Sequence, residues 1–262
     1  MIPKLFSEDL CFSILQIETE GGGASRCHTG FVLEYQAGDN AYPFLVTSGA
    51  AVKEASNGRI TFTQEFRGKP RLEQGYTLDI ENFNELWYVS PDTRCDIAIT
   101  PFVPFVKHIE DTGIPVYFRC IGSAHICPAE QRSAVVPLSS MLTLGFPAGI
   151  EEMPARQPVF VPGFLASGTL DRSLGENEFL MGTTTYPGCG GAPVFALNED
   201  DGCWYWVGMM NDAFVADEHG MRMDRRSLAQ TPTHHIPFVS VTVADAVLLL
   251  IRQYLREKGF VD

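Results

Sequence analysis

Through the first 240 residues, apolar positions come in short runs broken by turn residues, and several runs alternate with polar positions. "CFSILQIE" (11–18), "TGFVLEY" (29–35), "YPFLVTS" (42–48), "RITFTQEF" (59–66) and "DIAITPF" (96–102) have the length and the β-branched and aromatic content of strands. "GGGASRC" (21–27) and "QAGDN" (36–40) read as loops between them. A second strand series follows: "SAVVPL", "MLTLGFP", "QPVFVPGFLASGTL", "NEFLMGTTTY", "APVFAL" and "CWYWVGMMN". Between the two series, Lys107 to Arg132 shows no clear period and reads as a connector with one short strand at "VYFRCIG". The tail switches period. In "VTVADAVLLLIRQYLREKG" (241–259), Val243, Val247, Leu250, Ile251 and Leu255 fall at helical spacing, with Gly259 as a stop and Thr242 or Ser240 as the expected cap. The pattern predicts two successive all-β halves, each a barrel or a sandwich, and a closing helix.

The 262 residues suffice for one large or two small domains with a proper core. Nineteen Lys and Arg against 32 Asp and Glu give a net charge of −13, which argues against nucleic acid and anionic membrane as partners, since both need a basic footprint. The seven cysteines (11, 27, 95, 120, 127, 189, 203) include no C-x-x-C pair, and an odd count cannot all pair, so neither a zinc site nor a complete disulfide framework is expected. The N-terminal "MIPKLFSEDLCFSILQIE" carries acids where a secretory signal is apolar, which points to a cytoplasmic chain with reduced thiols. "VSPDTRCD" (89–96) and "NEDDGC" (198–203) lack a calcium-loop register and read as turns, so no metal or other cofactor is expected.

Three segments carry candidate chemistry. "GFVLEY…YPFLVTSGAAV" is a strand pair ending in Thr47-Ser48-Gly49-Ala50-Ala51-Val52, "CDIAIT" puts Asp96 at a strand start, and "TTYPGCGGAPVF" (184–195) is a Gly-rich turn between strands. Their content and order resemble the trypsin/chymotrypsin-like peptidases, in particular the bacterial intracellular, HtrA-type branch, over roughly residues 10 to 257. "LTLGFPAGI" (142–150) and "PVFVPGFLASG" (158–168) are similar to flanking segments of that family. The resemblance implies an all-β fold of two six-stranded antiparallel β-barrels plus a C-terminal α-helix. The expected division is a first barrel over 1–106, the connector over 107–132, a second barrel over 133–240 and the helix over 241–262.

The resemblance puts the family's catalytic His on Ala50 and its catalytic Ser on Gly190, leaving only Asp96 of the triad. It implies oxyanion amides at Gly188 and Gly190, a specificity-pocket floor at Thr184 that carries no charge, and peptide docking along "WVGMMN", with Gly208, Met209, Met210 and Asn211. In a triad the nucleophile needs a base to take its proton, and the Asp only orients that base. The sequence therefore reads as a pseudoprotease that binds a protein or peptide, by analogy a regulator in a bacterial stress or defence pathway. Two alternatives stay open. One is a peptidase using Cys189 as nucleophile with one of His28, His108, His125, His219, His234 or His235. The other is a serine endopeptidase inactivated by substitution at Ala50 and Gly190.

Overall fold

The computed structural model describes residues 8–148, 157–170, 177–216, 223–227 and 235–261; His219, His234 and the end of the 142–150 segment lie outside them. The strands are β1 (Ile14–Gly21), β2 (Ala24–Ala37), β3 (Asn40–Thr47), β4 (Asn57–Phe66), β5 (Lys69–Glu81), β6 (Tyr88–Val89), β7 (Ala98–Pro101), β8 (Val116–Tyr117), β9 (Ser140–Gly145), β10 (Val159–Leu165), β11 (Glu178–Thr183), β12 (Pro193–Asn198), β13 (Cys203–Ala216), β14 (Met223–Ser227) and β15 (His235–Val243). The helices are α1 (Gly49–Val52), α2 (Val103–Asp111) and α3 (Ala244–Glu257).

The first half is one sheet in the order β5-β4-β1-β2-β3-β7-β6, with β8 added against β4. Leu15, Val32, Leu45, Ile60, Leu78 and Ala98, one from each long strand and from β7, share a single apolar cluster with Phe62, Phe83 and Phe102. One face of the sheet is thus curled round its own core. In the second half the pairing β12-β9-β10-β11-β15-β13 returns from β13 to β12, closing a six-stranded barrel, and β14 lies outside that ring against β13. Closure leaves no open edge among those six strands.

Strand β2 joins the halves. Val32 faces the first core, while its neighbours Phe31 and Leu33 join Phe44, Val46, Ile97 and Ile99 in a cluster with Trp206, Met209, Met210 and the inner face of α3. Burial on both faces explains why "TGFVLEY" reads as an unbroken apolar run rather than an alternating one. Helix α3 buries Val247, Leu250, Ile251 and Leu255, and Tyr254 packs edge-on against Phe44 and Tyr88. Its N-cap is Val243, not Thr242 or Ser240. Both hydroxyls are engaged inside the barrel, Ser240 donating to Glu178 and Thr242 accepting from Asn211.

The connector is more ordered than its sequence suggests. Helix α2, with Phe105 and Ile109 buried and a Pro in its first turn, precedes β8. The chain then bridges both halves, Ile121 to Leu33 and Ile126 to Trp206. Among the described residues no helix is long and apolar enough to cross a membrane.

Candidate functional site

The short helix α1 follows directly on β3 and presents Ala50 to solvent. The Ala50 N–H donates to Asp96 Oδ1 at 2.9 Å, and the Gly49 N–H donates to the Asp96 carbonyl at 3.2 Å. A Cβ on Gly49 would lie 2.7 Å from Asp96 Oδ1, so glycine is what allows this close approach. Burial pushes the Asp96 carboxyl above its ordinary range, against the pull of the Ala50 N–H and of the Lys53 ammonium 3.9 Å away. Asp96 thus holds the backbone of α1, and the side chain at the base's position is a methyl group.

The Gly-rich turn before β12 is pinned from the first half. Thr29 of β2 donates its N–H to the Gly190 carbonyl (3.1 Å) and its hydroxyl to the Gly188 carbonyl (2.8 Å), while its Oγ1 accepts the Phe146 N–H (2.9 Å). The sequence reading missed Thr29, which acts on backbone atoms and sits in no motif. Gly188 and Gly191 have φ of +100° and +85°, a region open to glycine. A Cβ on Gly191 would meet the Thr29 carbonyl, Thr47 Oγ1 and the Ser48 N, which seats the turn against the strand end leading into α1. Ala50, Asp96 and the turn therefore share one seam between the halves. The Cys189, Gly191 and Ala192 N–H groups donate to Tyr186, Met210 and Cys189. Those of Gly188 and Gly190 donate to no acceptor among the described residues.

Cys189 does not face this seam as a nucleophile would. Its side chain is 2% exposed, and burial pushes the thiol up to about 11. No described histidine serves it. His28 is buried and bonded to Thr19 Oγ1, His108 is exposed on α2, and His125 Nδ1 accepts the Gly122 N–H. The Cys189–His expectation fails on both counts for the histidines whose side chains are described. At pH 7.5, Cys189 is expected to alkylate at least about 100-fold more slowly than an unfolded control, since the thiolate is the reactive form. Mass spectrometry of the labelled peptides reads this out; labelling faster than the control would reinstate the nucleophile.

Thr184 is exposed just after β11, next to the buried Thr185. Gly208 and Met209 pair with β12 on one edge and β15 on the other; Met210 pairs with Val241 and exchanges hydrogen bonds with Gly191 and Ala192. These three residues have no free ladder edge, so the peptide contact expected along them has no room there. Asn211 is buried, its amide donating to Glu178 and Thr242 (3.2 and 3.4 Å), with its Oδ1 unpartnered. Among the described residues no three His, Cys, Asp or Glu side chains are grouped to hold a metal ion. Asp92 and Asp201 accept backbone N–H groups two residues on, as turn residues do.

No protein-family model and no curated relative matches the chain. Solved structures do. Two structures of the HtrA-type protease AlgW with a tripeptide align with TM-scores of 0.54 and 0.52, at 12% and 13% identity, over 96% of this chain and 62% of that one. A serine endoprotease from Yersinia pestis aligns at 0.50 and 11% identity, over 96% of this chain and 65% of that one. A cysteine-to-alanine mutant of the tobacco etch virus protease aligns at 0.50 and 13% identity, over 93% and 79%. The chain spans less than two thirds of the length of the HtrA-type proteases. At such identities the likeness is one of fold: two β-structured halves and a C-terminal helix, the double-barrel architecture of the trypsin- and chymotrypsin-type proteases.

Proposed function

We propose that this protein is a catalytically degenerate member of the protease fold that binds polypeptide and does not cut it. The observation that carries the reading is Asp96. Its carboxylate holds the Ala50 N–H, as an orienting acid would, yet Ala50 offers only a methyl group where a base must take a proton. Gly190, at the nucleophile's position in the resemblance, has no side chain at all. Loss of nucleophile or base costs on the order of 10⁶ in rate where such residues have been removed. What remains is a turn whose Gly188 and Gly190 N–H groups are available to a carbonyl or carboxylate, a binding feature rather than a reactive one.

The buried, protonated thiol of Cys189 gives no support to a cysteine peptidase. The test is hydrolysis of a degenerate fluorogenic peptide library by the protein and by its Cys189→Ala variant. Both are expected to stay at buffer background. Turnover by the parent that disappears in Cys189→Ala would overturn the proposal in favour of a working thiol; turnover that survives the substitution would overturn it in favour of another nucleophile.

A further inference from the structure

Strand β13 has two edges, and their occupants change along its length. β15 holds one edge from Gly208 to Val215. On the opposite edge β12 pairs from Cys203 to Met209, and Gly191 and Ala192 bracket Met210. From Asp212 onward that same edge belongs to β14, in the register Asp212↔Ser227 through Ala216↔Met223. Ala213 and Val215 pair with both β14 and β15, which puts β14 on the β12 side of the strand. The register against β15 slips by one residue between Met210 and Ala213, a bulge at the point where one occupant ends and the next begins.

This placement matters because of what lies beside it. The Gly188–Gly191 turn ends at Met210, where Gly191 donates to the Met210 carbonyl. An extended peptide with a carbonyl on the Gly188 and Gly190 amides leaves the turn on this edge, and the first stretch beyond Met210 and Asn211 able to pair with it is Asp212–Ala216. Strand addition to an edge of this kind gives affinity through main-chain hydrogen bonds. We propose that Asp212–Ala216 is the polypeptide-docking edge of this protein and that β14, its own segment Met223–Ser227, is the resident occupant that an external strand must displace. The inference rests on the reading of the protein as a polypeptide binder and adds its regulation. β14 is also the strand that the closed barrel does not need, because the six-strand ring returns from β13 to β12 without it.

The probe is the protein's own strand supplied in trans, a fluorescein-labelled peptide MRMDRRSLA (residues 221–229). Two variants vacate the edge. Asp224→Pro/Arg226→Pro removes two N–H groups and places rings in the ladder. A second variant replaces residues 217–230 by a Gly/Ser linker. Both are checked for folding by circular dichroism. An edge blocked in most molecules lowers apparent affinity by the fraction that is open. Fluorescence anisotropy is expected to show either variant binding the peptide at least about tenfold more tightly than the parent. Equal or absent binding by parent and both variants would overturn the inference. If neither variant folds, β14 belongs to the folding core and the inference falls too. A failure here leaves the absence of hydrolysis untouched, and turnover by the parent would leave the strand exchange readable.

Discussion

Replacing Gly191 by alanine is expected to lower stability by about 3 kcal/mol, a fall in Tm of roughly 10 °C. Two independent costs add at this position. The residue sits at φ +85°, where a Cβ is strained whatever the space around it. The added methyl would also lie 2.3 Å from the Thr29 carbonyl, 2.5 Å from Thr47 Oγ1 and 3.0 Å from the Ser48 N. Two of the three are backbone atoms and cannot swing aside. Thr47 Oγ1 is held as well, donating to that same Thr29 carbonyl at 2.7 Å. Relief means moving the turn away from β2, which breaks the Thr29 bonds to Gly188 and Gly190 and opens the seam. Gly190→Ala is the control, since the backbone of Gly190 lies outside the left-handed region. Thermal melts of the two variants settle the matter. A Gly191→Ala protein that melts with its parent would mean that the turn is not seated against β2.

How far the sequence foretold this architecture depends on what holds each element. Strands held by burial were legible. Phe31, Val32 and Leu33, or Ile97 and Ile99, announce themselves as apolar runs because both faces of the sheet are covered. Helix α3 was legible for the same reason, as a stripe from Val247 to Leu255. Elements held by backbone pairing alone were not. The segment "MDRRS" of β14 carries no apolar alternation and offers nothing to a periodicity, yet it pairs residue by residue with β13. Helix α2 was hidden by its shortness and by Pro104, which marks a helix start as readily as a break.

The site divides along the same line. The order of the three segments and the glycines of the turn pointed to the place where Ala50, Asp96 and Gly190 come together. Thr29 could not be found that way, because any residue with an N–H could serve Gly190, and only the structure shows that its hydroxyl serves Gly188 and Phe146 at once. Cys189 was legible as a cysteine in the right loop. Its burial was not, since that depends on Gly145 and Ala192 closing over it from either side.

Acid should loosen this protein through His28, in a window fixed by the sign of its shift. The ring is 3% exposed, with Nε2 3.2 Å from Thr19 Oγ1. Burial first, and the charge of Arg26 second, depress its pKa from 6.5 to about 4. In the unfolded chain the imidazole takes its proton near pH 6.5, while in the folded protein it resists until about pH 4. The unfolded state therefore binds more protons across that interval, and stability falls as the pH does. The contribution is fully present above pH 6.5 and gone below about pH 4, a total of about 3 kcal/mol at 1.36 kcal/mol per unit. Asp96 acts in the opposite sense, because its raised carboxyl gains from protonation in the folded state. The clean comparison is therefore between the parent and His28→Gln, whose amide can still reach Thr19 but does not titrate. Urea melts at pH 7 and pH 4 should show the parent losing about 3 kcal/mol more than the variant. Equal losses would place the acid sensitivity elsewhere. The position of His28 gives the loss its meaning, because the next residue is Thr29. Charging that ring pulls on the stretch of β2 that pins the Gly188 and Gly190 carbonyls, so the turn should release before the barrel unfolds.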